Sequence, residues 1–298
     1  MTSALEMRVR IKSIKSLSQV TRALQTVSAS KVRKSLQAVN ATAPYAEKAW
    51  KVVVHLGRQS ENLPLHPLLA PRNEIKNTLV ILITSDRGLA GSYNVNIVRK
   101  TLLKFIEFPN PVAYVAVGKK GRDLLLRRKQ RILADFDKVP TSPRFSDVSA
   151  IGWLAVDEFL DGNYDEVFIA YTRFESMLQQ VPEVRQILPL KVKYADPSEE
   201  GYNVTHHKTN SIFSYEPGQS EVLDTIVPRF TALQIYQSIL SAQASENAAR
   251  MIAMQNATEN ATELISILQM QYNKARQQSI TNEMLDIAGG AEALSTKL

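Results

Sequence analysis

Four residues at the end of an apolar run have the side-chain types that phosphate binding uses. The run occupies residues 78–84 (TLVILIT), and Ser85, Asp86, Arg87 and Gly88 follow it directly. The end of a strand is a common phosphate site in doubly wound sheets. However, the spacing matches neither the G-x-G-x-x-G fingerprint nor a Walker loop. The pattern therefore favours a structural turn over a nucleotide site.

Other residues capable of chemistry are few or poorly spaced. His206 and His207 are adjacent, and no cysteine or acidic cluster accompanies them, which favours a solvent-exposed loop over a metal pair. The chain has no cysteine, so disulfides and thiolate chemistry are excluded. Four carboxylates show no pattern that indicates paired acid–base catalysis and are predicted to be loop or helix-surface charges: Asp135, Asp137, Asp157 and Glu158. We therefore expect no catalytic site, cofactor or metal.

The net charge of +7 is concentrated near the N-terminus. Residues 1–40 contain one acid, Glu6, and no further carboxylate occurs before Glu47. Such a segment favours an acidic partner: nucleic acid, an anionic lipid or an acidic protein surface. A basic coiled-coil nucleic-acid-binding protein is the alternative interpretation, although the segment lacks the interleaved aromatic residues of single-strand binders. The eight basic residues are Arg8, Arg10, Lys12, Lys15, Arg22, Lys31, Arg33 and Lys34.

The first segment, residues 1–57, predicts one long helix. It has no glycine before Gly57 and a single proline, Pro44, which we expect to kink or interrupt the helix. An unbroken helix of this length would span roughly 80 Å. Apolar residues recur in 4,3 steps that are typical of one helix face: Val20, Leu24 and Val27, then Val32, Leu36 and Val39.

The last segment, residues 221–298, predicts a second long helix. It has no proline after Pro228 and no glycine before Gly289. Sixty residues of helix measure about 90 Å, whereas a globular helix averages ~11–12 residues, so we predict that the two helices pair as an antiparallel coiled coil. Outside the heptad series given below, Gln, Asn, Ser and Thr dominate the helix. This weakly charged surface favours a helix pair that is enclosed by other protein without being tightly bound. The series is Met251, Met254, Thr258, Ala261, Ile265, Leu268, Tyr272 and Ala275.

The middle segment, residues 75–216, predicts a small Rossmann-like α/β domain. Short apolar runs indicate strands at 78–84, 112–117, 166–171 and 184–190. Helical spacing occurs at 94–107, 119–131 and 147–160, and residues 195–210 are polar and loop-like. The longest apolar runs are far shorter than the ~20 residues of a membrane-spanning helix, and the N-terminus lacks a signal-peptide pattern. We expect a soluble, intracellular α/β protein in three parts.

Three stretches of the chain resemble the γ subunit of F-type ATP synthases. They are residues 8–35 (RVRIKSIKSLSQVTRALQTVSASKVRKS), 84–94 (TSDRGLAGSYN) and 246–294, which includes YNKARQQSI. The resemblance covers essentially the whole chain. It implies a non-catalytic central stalk whose paired helices turn inside a ring of three α and three β subunits. It also implies that the α/β domain joins the ε subunit and the membrane c-ring.

The resemblance further implies how such a protein works and where it lies. Ion flow turns the c-ring, the stalk turns with it, and the nucleotide sites on α and β change state. The implied location is the cytoplasmic face of the bacterial plasma membrane, with membrane contact only through the complex and no nucleic acid. The plant-type insert with paired cysteines is absent.

Eight partner-contact residues follow from the resemblance. Arg276 and Gln277 match positions where the family's shaft hydrogen-bonds an acidic loop of β. Leu24 stands where a methionine is common. Thr281 and Glu283 match contact positions near Arg276 and Gln277. The basic N-terminal helix, which faces acidic β loops in the family, contributes Lys31, Arg33 and Lys34.

Overall fold

The computed structural model describes residues 4–59, 66–72, 74–190 and 218–295. The loop predicted at 195–210, with His206 and His207, lies outside these residues. In chain order the elements are α1 (Ala4–Gln59), β1 (Thr78–Ile83), α2 (Tyr93–Phe105), β2 (Val112–Val117), α3 (Lys119–Arg127), β3 (Arg131–Phe136), α4 (Phe145–Leu160), β4 (Glu166–Phe174), β5 (Gln180–Leu188) and α5 (Gln219–Ser295).

The chain forms two compact units, and both long helices contribute to each. One unit contains Met1–Val27 and Met251–Leu298, and the other contains Ser28–Arg250. Since this division cuts through α1 and α5, it differs in kind from the three segments predicted at 1–57, 75–216 and 221–298. That three-part organisation stays a prediction.

The helix α1 continues through Pro44, so the predicted interruption is wrong. Proline removes one backbone donor and crowds the preceding turn. Here Ala46 and Val53, which follow Pro44, are fully buried in the core. Helix α5 likewise contains Pro228, between the buried residues Val227 and Phe230. We attribute the continuity of both helices to this tertiary packing, which outweighs one lost hydrogen bond.

The sheet has five strands in the order β3-β2-β1-β4-β5. Strands β3, β2, β1 and β4 run parallel to one another, and β5 runs antiparallel to β4. This confirms the predicted Rossmann-like α/β domain. Strand β3 was not predicted: the expected helix at 119–131 ends at Arg127, and Lys129 takes a positive φ of 55° before the strand begins.

The two faces of the sheet support two separate apolar cores. Leu79 and Ile81 of β1 point into a core shared with α1, α4 and α5. Val80 and Leu82, which alternate with them, belong to a second core with α2 and α3. Because side chains alternate along a strand, the wholly apolar sequence of β1 is explained by burial on both faces.

Helix α4 approaches α5 closely at Gly152. A Cβ atom there would lie 2.6 Å from Ala232 Cβ and 2.7 Å from its Cα. We expect Gly152→Ala to lower the free energy of unfolding by about 1–3 kcal/mol, because the helices must separate to admit the methyl group. Urea unfolding followed by circular dichroism measures this loss.

The matched control for that change is Gly289→Ala on α5. A Cβ atom at Gly289 would meet nothing within 4 Å. Replacing glycine by alanine in a helix should then stabilise by about 0.5–1 kcal/mol. An unchanged unfolding free energy in Gly152→Ala would contradict the close approach of the two helices.

Candidate partner-binding surface

In the unit formed by Met1–Val27 and Met251–Leu298, α1 and α5 pair along a seam of small and apolar side chains. The hydroxyl of Thr21, which is buried, lies 2.7 Å from the hydroxyl of Thr258. The seam predicted for α5 is confirmed. Its buried members are Met254, Ala261 and Leu268, and its half-buried members are Met251, Thr258, Ile265, Tyr272 and Ala275.

The apolar stripe predicted for α1 is wrong in its first half. Val20 and Val27 are 55% and 51% exposed. The buried positions of this stretch include Ile11 and Thr21 and, in the other unit, Ser28 and Ser35. Small side chains at a helix contact allow the two helix axes to approach closely. The second half of the stripe is confirmed, with Val32 buried and Leu36 and Val39 half-buried.

The end of α5 lacks any buried residue over four turns. Every residue from 276 to 289 is exposed, and we call residues 276–289 the free end of α5. The free end nevertheless carries large apolar side chains that are 48–73% exposed. A polar helix surface would need no cover, whereas a concentration of exposed apolar side chains marks an interaction site. These side chains are Ile280, Met284, Leu285 and Ile287.

Four of the predicted contact residues lie on this free end: Arg276, Gln277, Thr281 and Glu283. Arg276 and Glu283 are seven residues apart and share one helix face, while Gln277 and Thr281 share another at a spacing of four. The Thr281 hydroxyl donates to the Gln277 carbonyl at 3.0 Å, so its proton is used within the helix. The guanidinium, amide and carboxylate of the other three are presented to solvent.

The other four predicted contact residues lie on α1. Leu24 is half-buried in the unit of the paired helix ends. Arg33 and Lys34 are exposed, in the unit Ser28–Arg250. Lys31 differs from them, because it is half-buried and its charge acts on the carboxylate of Glu246 on α5.

The backbone donors at the start of α3, beside the turn after β1, are already used within the chain. The N–H groups of Lys119, Lys120 and Gly121 donate to the Asp86 carboxylate, the Ser85 carbonyl and the Thr84 hydroxyl respectively. The Asp86 carboxylate also accepts from Lys138 N at 3.1 Å. These bonds are the ones that a bound phosphate would require. The prediction of a structural turn is therefore supported by the bonds of the turn itself.

A cavity of about 40 Å³ lies beside this turn, against α5. Its polar lining includes Asp86, Tyr93, Gln243 and Glu246. This volume suits a water molecule rather than a nucleotide. The hydroxyl of Tyr93 donates to the Ala242 carbonyl at 3.1 Å, and burial raises the pKa of Tyr93 well above its ordinary value.

The described ranges of the chain contain no group of three or more histidine or acidic side chains arranged to hold a metal ion. Within the same ranges, no helix combines the length and the apolar character needed to cross a membrane.

Comparison with known proteins assigns the chain to a family. The family model described as ATP synthase matches residues 3–294. The ATP synthase gamma chain of Roseiflexus castenholzii is 41% identical over 298 residues, covering 99% of both chains. The gamma chain of Dehalococcoides mccartyi is 42% identical over 288 residues, covering 96% of this chain and 97% of the relative. The chain belongs to the ATP synthase gamma chain family.

Solved structures share the gamma-chain fold at lower identity. A chain of the Euglena gracilis mitochondrial ATP synthase rotor is 18% identical, with a TM-score of 0.64 and coverage of 93% of this chain and 98% of that one. A chain of the Tetrahymena thermophila central stalk and c-ring structure is 23% identical, with a TM-score of 0.59 and coverage of 80% and 99%. The family match confirms the resemblance stated from the sequence, and the nucleic-acid alternative gains no support.

Two residues near the turn after β1 were not predicted as functional. Glu246 and Arg250 of α5 form an ion pair of 2.6 Å, with side chains 18% and 12% exposed. Burial raises the pKa of Glu246, and the charges of Arg250 and Lys31 oppose that rise. The sequence signal that could have identified the pair is the spacing of four residues between two opposite charges, on a helix with few charged residues.

Proposed function

We propose that this chain is the rotor shaft of an ATP synthase, the γ subunit of its central stalk. Ion flow through the membrane c-ring turns the chain, and its rotation drives ATP synthesis or hydrolysis at sites on the α and β subunits. The observation that carries the proposal is the free end of α5, in a chain of the gamma chain family. Its exposed apolar side chains require a surrounding apolar surface, and a ring of three α and three β subunits would provide one.

The chain has a mechanical role in this proposal and no catalytic site of its own. The donors at the start of α3 are used within the chain, and the adjoining cavity of about 40 Å³ is far too small for a nucleotide. Nucleotide binding and chemistry then belong to α and β. The contribution of the chain is to change their states in turn as it rotates.

The proposed partners extend beyond the ring of α and β subunits. The sheet domain joins the ε subunit and the c-ring, so that torque enters the chain there. The chain is then peripheral at the cytoplasmic face of the bacterial plasma membrane and touches the membrane only through the complex. The matches to gamma chains of bacteria such as Roseiflexus castenholzii support a bacterial complex of this kind.

The exposed residues among the eight predicted contacts fit this role best. The cationic pair of Arg33 and Lys34 is available to acidic loops of β, as are Arg276 and Gln277 at the free end. Lys31 is half-buried and interacts with Glu246 within the chain. We therefore propose that the contribution of Lys31 to partner binding is smaller than that of Arg33 or Lys34.

Assembly tests the proposed function directly. The purified chain should show no ATPase activity, and mixing it with α and β subunits from the same source should give one complex with one copy per three β subunits. Size-exclusion chromatography with mass measurement reports this stoichiometry. A chain that elutes separately from α and β under all conditions would rule out the rotor role.

Within the assembled complex, Arg276→Ala should weaken coupling. The change removes an exposed guanidinium from the free end, and a charge-assisted hydrogen bond of this kind is worth about 1.5–3 kcal/mol. We expect a lower ATP synthesis rate and lower torque. Lys274→Ala removes a charge two residues away, on a different helix face, and should change both far less. Equal losses in the two variants would argue against a specific role for Arg276.

A further inference from the structure

The turn after β1, residues 84–94, is bound to two neighbouring parts of the sheet domain and is closed by a hydrogen bond within itself. The Asp86 carboxylate accepts from Lys119 N at 3.0 Å and Lys138 N at 3.1 Å. Asn94 of α2 accepts from Ser85 N at 3.0 Å. These bonds attach the turn to the start of α3 and to the segment that follows β3.

Arg250 joins this turn to α5. Its Nε and Nη2 atoms both donate to the Gly88 carbonyl at 3.3 Å. The same guanidinium donates to Glu246 at 2.6 Å and to Asn247 Oδ1 at 3.3 Å, so α5 itself holds it in position. The Arg250 side chain is 12% exposed, whereas Gly88, which accepts two of these bonds, is exposed.

The bond between Arg250 and the turn lies near the point where α5 leaves the unit that contains the sheet. Arg250 is the last residue of the unit Ser28–Arg250, and α5 continues from it into the other unit. Other bonds tie α5 to the sheet domain earlier, such as Ser245 Oγ to the Thr172 carbonyl at 2.9 Å. Those bonds are between neutral groups, whereas the donor in the bonds of Arg250 to the turn is a charged guanidinium.

We propose that Arg250, held by Glu246, is a positioning residue that fastens the turn at residues 84–94 to α5 and so transmits torque between the sheet domain and the helices. This inference rests on the proposed rotor function. If the turn were released, α5 could twist against the sheet domain under load, and part of each rotation would be stored as strain instead of reaching the nucleotide sites.

Torsional stiffness in the assembled complex with α and β tests the proposal. Because the chain has no cysteine, Leu178→Cys provides a unique attachment point in the sheet domain, where Leu178 is 86% exposed between β4 and β5. A rod attached there, with the ring fixed to a surface and stalled by nucleotide, reports stiffness through its angular fluctuations. Arg250→Ala should lower that stiffness, since it removes the guanidinium that bonds α5 to the Gly88 carbonyl.

Two further variants separate positioning from folding. Arg250→Lys retains the charge opposite Glu246 and should recover part of the stiffness. Glu246→Gln weakens the hold on the guanidinium and should soften the complex even if Arg250→Ala does not assemble. The control is Arg122→Ala, which removes an arginine paired with Asp135 inside the sheet domain and should match the parent stiffness.

The outcomes distinguish this inference from the function on which it rests. Failure of the parent chain to assemble or rotate would overturn the rotor function. A rotating parent chain, together with Arg250→Ala and Glu246→Gln complexes of unchanged stiffness, would overturn the role of Arg250 alone. Lower stiffness in these variants, with a normal value in Arg122→Ala, supports it.

Discussion

Replacement of Phe230 by alanine should lower the free energy of unfolding by about 3–5 kcal/mol. The Phe230 side chain is 1% exposed, and its ring stacks on Trp50 at a centroid distance of 5.4 Å and an angle of 22°. The pair joins α5 to α1, so alanine would leave a cavity between the two helices as well as removing buried apolar area. Urea unfolding followed by tryptophan fluorescence measures the loss, and Trp50 reports on the site directly.

Phe145→Ala is the matched control for that change. Phe145 is 39% exposed and contacts Tyr236 edge-on at 5.9 Å. It should lose much less, since an exposed ring leaves no closed cavity and an aromatic pair contributes about 0.5–1.5 kcal/mol beyond its buried area. Similar losses in both variants would show that Phe230 does not anchor the helix pair.

Replacement of Asp165 by alanine should cost about 3 kcal/mol of stability, the lower part of the range for breaking a buried ion pair. Asp165 is 6% exposed and accepts from Arg72 Nη1 at 3.2 Å, Lys76 N at 2.7 Å and Asn77 N at 3.1 Å. Its loss would leave the two backbone donors and Arg72 Nη1 without this acceptor. The midpoint of thermal unfolding, followed by circular dichroism, should fall accordingly.

The control for Asp165 is Asp137→Ala. Asp137 is exposed and pairs with Lys119 at 3.6 Å. Water replaces its lost contact, so an exposed ion pair of this kind contributes little. If Asp137→Ala shifted the unfolding midpoint as far as Asp165→Ala, the three bonds to Asp165 would not be the cause of its effect.

The seam of α5 could be predicted residue by residue because its heptad pattern uses apolar and small side chains that differ from their polar neighbours. Met254, Ala261 and Leu268 are buried as the 3,4 spacing requires. The same reasoning fails on α1 at Val20, because Thr21 is buried in the seam and Val20 is exposed. A hydroxyl next to a valine carries no periodic signal of its own, and its partner Thr258 lies 237 residues away.

The sheet was predictable where strands are buried on both faces. β1 and β2 are continuous apolar runs, and both were found at the predicted positions. β3 was missed because it lies at an edge of the sheet and its residues alternate between exposed and half-buried. Its sequence, RILADF, resembles the end of the preceding amphipathic helix, and only pairing with β2 makes it a strand.

The sequence by itself determined the two long helices, the strands of the sheet centre, the seam of α5 and the family, because each depends on local periodicity or on long matched motifs. The tertiary structure alone decided the continuity of α1 through Pro44, the inward turn of Thr21 and the edge strand β3. It also decided that the charge of Lys31 acts on Glu246 and that Arg250 donates hydrogen bonds to Gly88 in the turn after β1. The physical reason is that these features depend on packing and hydrogen bonds between residues far apart in the chain, whose energies outweigh the local preference of each segment.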